Sequence, residues 1–262
     1  MHDLVAYALL AVAGLAAGWV NSFAGAGSLL TLPALVFTGL DASAANATNR
    51  IAVLVQNAAS LVAYERAGVK VSRTGILLAL PAMAAAALGA WIATRLPAST
   101  IRLCIAVAMV VMLILSFVPR RPRARAAGEA GPDAAIAQRV PPRVTIPMLV
   151  AFAGIGLYGG FLQAGVGIVI LLALSLGWGT DLVTANGVKV LVILALTAVS
   201  LATFALSHAT IDLGRGAVLA TTTALGGYIG ARTAAKRGER WVRWGISLAV
   251  IASVVKLVWD LV

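Results

Sequence analysis

Charge is what this chain has least of. Only 11% of its 262 residues are charged, against about 25% in an ordinary soluble domain. In its place 61% are hydrophobic and the mean hydropathy is +0.99. That excludes a soluble globular enzyme and a disordered chain, and it implies an integral membrane protein. There is a single cysteine, Cys104, so no intramolecular disulfide can form. His2 and His208, with that one thiol, cannot assemble a haem or metal cluster, so no cofactor is expected. Acidic residues number nine. Glu65, Asp212, Glu239 and Asp260 fall in loops or at ends, and no acid or histidine lies deep in an apolar run where a proton relay would need one. Asp41 and Asp181 precede apolar runs and read as helix N-caps. Ser22 and Ser28 have no His or Asp partner nearby, so no catalytic triad is in view and an enzyme is not expected. The opening Met1-His2-Asp3 lacks the Lys or Arg of a signal peptide, so the first apolar run reads as mature structure.

What is present is a series of nearly uncharged runs: 4–40, 44–64, 74–94, 103–118, 144–180, 190–207, 216–231 and 244–255. A helix needs roughly 20 apolar residues to cross the hydrocarbon. Continuous Ala/Leu/Val blocks do not alternate as the strands of a membrane barrel do. The expected class is therefore all-α. The formal net charge of +11 could suggest nucleic acid. Its concentration in short loops between apolar runs fits the positive-inside rule instead, with the lipid bilayer as partner. Stretch 119–143, rich in Pro, Arg and Ala, reads as a flexible cytoplasmic linker between a first unit, 1–118, and a second, 144–262.

The two units are copies. Ala24-Gly25-Ala26-Gly27, Gly39-Leu40-Asp41 and Ala45-Asn46 recur as Ala164-Gly165-Val166-Gly167, Gly179-Thr180-Asp181 and Ala185-Asn186, each 140 positions later without a gap. Ser60 pairs with Ser200 in the same register. Basic loop 65–73 is expected inside, while its counterpart 208–215, with Arg215 balanced by Asp212, is expected outside. Basic loop 232–243 is expected inside, and its counterpart Arg95–Arg102 outside. Equivalent loops on opposite faces make the repeats inverted. Inversion needs an odd number of crossings per copy, so runs 4–40 and 144–180 are each expected to bend at their glycines. That gives about five membrane segments per copy, with both chain termini outside. Whether the bent pairs span or re-enter is open at this level. The tryptophans, among them Trp19, Trp91 and Trp178, sit near expected span ends and suit an interfacial belt.

Interrupted apolar segments in matching positions of two halves point to a transporter's binding site. Around the first interruption stand Asn21, Ser22, Gly25, Gly27 and Ser28, and around the second Gln163, Gly165 and Gly167. Glycine lets the backbone turn and approach a ligand, and the helix beginning near Ser28 would offer N–H groups and a positive dipole end. The following helix carries Asn46, Asn49 and Arg50 on one face, with Asn57 two turns on and Gln56 beside it. Its copy carries Asn186 and Lys189. An ionisable residue in a span is a functional hypothesis by default. Snorkelling of Arg50 and Lys189 to headgroups is the competing reading.

Residues Gly18-Trp19-Val20-Asn21-Ser22-Phe23-Ala24-Gly25-Ala26-Gly27-Ser28 through Pro33, followed by Ala45-Asn46-Ala47-Thr48-Asn49-Arg50, resemble the TauE/SafE sulfite exporter family, also called the 4-toluene sulfonate uptake permease family. Gly160-Phe161, Gly165, Gly167 and Ala185-Asn186 through Lys189 are similar to it as well. Ala26 departs from the three glycines more usual there. The resemblance implies transport of sulfite or an organosulfonate across a bacterial inner membrane, without fixing the substrate. The residues read alone give a small-anion transporter in which one repeat rocks against the other. Arg50 and Lys189 would supply charge, and Asn21, Ser28, Asn46, Asn49, Gln163 and Asn186 hydrogen bonds. A passive anion channel is the alternative. Small residues throughout would also permit a homo-oligomer.

Overall fold

The computed structural model describes residues 2–69, 73–116, 144–178 and 182–234. The expected linker 119–143, the basic loop beyond residue 234, the last apolar run 244–255, Lys70, Asp181 and the side chain of Trp178 lie outside the described residues. Among those described there are nine helices and no strand: α1 (His2–Ala24), α2 (Ser28–Phe37), α3 (Ala42–Arg66), α4 (Arg73–Arg95), α5 (Ala98–Ser116), α6 (Ile146–Phe161), α7 (Val166–Trp178), α8 (Leu182–Leu206) and α9 (Leu213–Ala234).

Local chemistry sets several boundaries. Asp41 is the N-cap expected of it: its carboxylate accepts the Ser43 N–H at 2.8 Å and the Ala44 N–H at 3.0 Å. Asp41→Ala should therefore cost about 1 kcal/mol in an unfolding titration of purified protein. An unchanged midpoint would contradict that role. Pro147 stands in the first turn of α6, where its missing N–H costs nothing. Ahead of α9, Asp212 pairs with Arg215. The Arg215 backbone N–H, and then its guanidinium, hold the Asp212 carboxyl below the usual carboxylate range.

Four described stretches are long and apolar enough to cross a membrane: Leu4–Ser22, Arg73–Arg95, Ala98–Ser116 and Thr184–Leu206. At 1.5 Å per residue α2 reaches about 15 Å and α7 about 20 Å, short of the roughly 30 Å hydrocarbon. The molecule is apolar outside and polar inside. Leu4, Val5, Val12, Leu80, Leu103 and Ile114 are exposed, while Asn46, Asn49, Arg50, Asn57, Gln163 and Lys189 are at most 1% exposed. Water would penalise that arrangement, and lipid favours it. Trp91 stands half-exposed beside Arg95, and Trp19 packs against the core.

Packing crosses between the two sequence copies. α9, fourth in the second copy, lies against α1 and α3 of the first, and α4, fourth in the first, lies against α6 and α8 of the second. Small residues make both seams tight. A Cβ added to Gly160 would run into the Ala86 backbone, and one on Gly226 into the Leu15 backbone.

Candidate functional site

The two glycine stretches meet at the centre of the protein. Gly25 (φ +71°) and Gly165 (φ +65°) take left-handed conformations that cost glycine little. The first stretch lies directly on the second: a Cβ on Gly25 would fall 2.5 Å from the Gly167 Cα, and one on Gly167 2.5 Å from the Gly25 Cα. The Ser28 hydroxyl ties them together, donating to the Gln163 carbonyl at 3.0 Å and accepting the Gly165 N–H at 2.9 Å. Asn21 spans its own stretch, accepting the Gly27 N–H at 3.3 Å and donating to the Gln56 Oε1 at 2.6 Å. Gln163 is a long side chain at φ +59°. Such strain costs of order 1 kcal/mol and collects at functional sites. Its amide donates to the Thr197 hydroxyl.

Both cations are completely buried, which removes snorkelling. Each reaches across to the C-terminal end of the first helix in the other half of the sequence. The Arg50 Nη atoms donate to the carbonyls of Gly159 at 3.2 Å, Gly160 at 2.5 Å and Phe161 at 3.3 Å, and to the Ser200 hydroxyl at 2.7 Å. Asn46 adds a bond to the Phe161 carbonyl at 2.9 Å, and the guanidinium lies 4.4 Å from the Phe204 ring centroid. Lys189 Nζ donates to the carbonyls of Asn21 at 2.5 Å and Ser22 at 3.4 Å, and to the Asn186 Oδ1 at 2.7 Å. A helix C-terminus presents unpaired carbonyls and a partial negative charge, so a buried cation is well matched there. The expected anion-binding N-termini are in part occupied by Asn21 and Ser28.

All thirteen residues singled out from the sequence, Asn21, Ser22, Gly25, Gly27, Ser28, Asn46, Asn49, Arg50, Gln163, Gly165, Gly167, Asn186 and Lys189, are buried. Beside Ser28 and Asn49 lies a small cavity of about 10 Å³, lined also by Gly27, Thr31, Gln56 and Thr223. Sequence reasoning missed Thr31, Tyr64, Tyr158, Thr197 and Thr223. Tyr64 donates to the Ser22 carbonyl at 2.8 Å, and Tyr158 to the Ala164 carbonyl at 2.5 Å, each bracing one glycine stretch. Only Thr197 carried a signal, since it stands 140 positions after Asn57.

The sulfite exporter TauE/SafE family matches residues 10–257. The chain belongs to that family. TauE/SafE proteins are membrane transporters, not enzymes, in keeping with the exposed apolar helices and buried polar centre described above. The chain is also similar to a probable membrane transporter protein, ORF9, of Sinorhizobium sp, at 32% identity over 104 residues, or 39% of this chain and 40% of that relative. The match thus spans about 40% of the relative's length. No solved structure matches the chain. For this TauE/SafE member the quoted sequence motifs fall within the matched region.

Proposed function

We propose that this protein carries a small sulfur oxyanion, sulfite or an organosulfonate, out of the cell across a bacterial inner membrane. The observation that carries the reading is the buried polar centre where the two glycine stretches lie against each other, tied by Ser28 and flanked by Arg50 and Lys189. Two completely buried basic side chains bring positive potential to this centre, which attracts an anion. Lipid around it and donors within it suit a substrate that must leave water briefly and be hydrogen-bonded throughout.

The transport cycle in this reading is alternating access. Units 1–118 and 144–262 are inverted repeats, each with a glycine-broken first helix, and one rocks against the other about the Gly25–Gly167 contact. Linker 119–143 and loop 232–243 face the cytoplasm and both termini face outside. The substrate supplies any coupled proton itself. The crossed cations hold the carbonyl ends of the helices whose separation opens the centre. A substrate anion competes for that positive charge, so binding and loosening are linked.

Uptake of radiolabelled sulfite into proteoliposomes, with sulfate, sulfoacetate and taurine as unlabelled competitors, tests the proposal. Saturable uptake with counterflow is the expected result, with the competition order naming the preferred substrate. Lys189→Ala should reduce uptake tenfold or more while the protein still inserts in the membrane. Ohmic current without saturation would replace the carrier with a channel, and no flux of any sulfur oxyanion would end the proposal.

A further inference from the structure

Nearly every buried side-chain polar atom among the described residues has a partner. The exceptions are Ser43 Oγ, Asn49 Nδ2, Arg50 Nε, Asn57 Oδ1 and Gln163 Oε1. Of these five residues, only Asn49 also lines the small cavity at the centre. Asn49 is 0% exposed, and its Oδ1 is already used, accepting from the Thr31 hydroxyl at 2.6 Å. Its amide N–H groups therefore have no protein acceptor.

The cavity walls say what would satisfy them. The Ser28 hydroxyl hydrogen goes to the Gln163 carbonyl, that of Thr31 to Asn49, and that of Thr223 to the Leu219 carbonyl. Gln56 Oε1 is occupied by Asn21. No carboxylate lines the space. A cation there would face an amide donor, whereas an acceptor oxygen would complete it. The volume, about 10 Å³, is room for one water-sized atom. A buried donor without an acceptor is costly, and a site built around one rejects ligands that cannot supply the acceptor.

We infer that this cavity is the seat for one oxygen of the transported oxyanion, and that Asn49 Nδ2 is the donor that reads it. The inference rests on the anion-transport reading and narrows it from a broad polar centre to one contact in the first copy. The two copies then divide the work. The residue 140 positions after Asn49 is Lys189, which holds the Asn21 and Ser22 carbonyls and Asn186. One register position reads the substrate in the first copy and braces the first glycine stretch from the second.

The test uses the purified full-length protein and the double substitution Thr31→Val with Asn49→Leu, which removes both members of the hydrogen bond and fills the cavity with methyl groups. Melting temperature is followed with and without sulfite and methanesulfonate. Without ligand, the double variant should melt at or above the wild type, because a buried donor lacking an acceptor has gone. Its sulfite dissociation constant, from the ligand-induced shift, should rise at least tenfold. A dissociation constant within twofold of the wild type would overturn the seat while leaving anion transport standing. A ligand-free melting temperature several degrees below the wild type would also overturn it, since Asn49 would then be structural. Wild-type protein that neither anion stabilises would overturn the transport reading and the seat together.

Discussion

Valine in place of Gly25 should leave little folded protein. The position sits at φ +71°, and an added Cβ would land 2.5 Å from the Gly167 Cα, with backbone rather than a movable side chain in the way. Left-handed backbone costs a β-branched residue about 1–3 kcal/mol. Overpacking adds roughly another 1–3 kcal/mol. The total, about 4 kcal/mol, is a large fraction of an ordinary domain's stability. Gly39 supplies the internal comparison. It also has a left-handed φ, +95°, but nothing lies within 4 Å of where its Cβ would be. Gly39→Val should therefore lose only the backbone part, about 1–3 kcal/mol. Size-exclusion profiles and thermal unfolding of both variants decide the matter. Equal behaviour would mean that the contact between the two glycine stretches does not govern stability.

The second large effect is at Arg50. Methionine there keeps most of the volume but removes the donors to three carbonyls of α6 and to Ser200. Buried carbonyls without donors are expensive, and charge-assisted bonds contribute roughly 1.5–3 kcal/mol each. Their losses overlap, so a destabilisation of about 3 kcal/mol or more is expected for Arg50→Met. Arg50→Lys should recover only part of it, because an ammonium cannot fork across adjacent carbonyls as a guanidinium does. Unfolding of the purified variants is the measurement. An Arg50→Lys protein as stable as the wild type would show that charge alone, not the forked geometry, holds the end of α6. If Arg50 contacted only substrate, Arg50→Met would lose transport with its stability intact.

Much of the architecture was legible from one-dimensional pattern. Apolar runs with few charges became helices, and Asp41 became the cap of α3. Asparagines at 46 and 49 with Arg50 share a face because their spacing matches the helix period, and that face is buried. The threonines at 31 and 223 and the tyrosines at 64 and 158 were not legible, for a physical reason. Hydroxyls in membrane helices commonly bond their own backbone, as Thr222 does with Val218. Nothing in a sequence separates those from Tyr64, which reaches the Ser22 carbonyl 42 residues away. The partners of the cations were equally hidden. A helical wheel gives the direction of Arg50 but not that the carbonyls of residues 159–161 from the other copy stand in front of it.

Composition and spacing were enough to give the lipid solvent and the helical class, and they singled out the residues that gather in the buried polar interior, because hydrophobicity, glycine and helical periodicity act over a few residues. Only the packing shows that α9 lies on α1 and α3 and α4 on α6 and α8, and that Arg50 and Lys189 meet helix C-termini. It also left Asn49 Nδ2 without a protein acceptor beside a small cavity. Those outcomes depend on which segments pack together across more than 100 residues of chain. That is settled by close fit of small residues along two seams and by the need to give every buried carbonyl a donor, and neither demand can be read until both partners are in place.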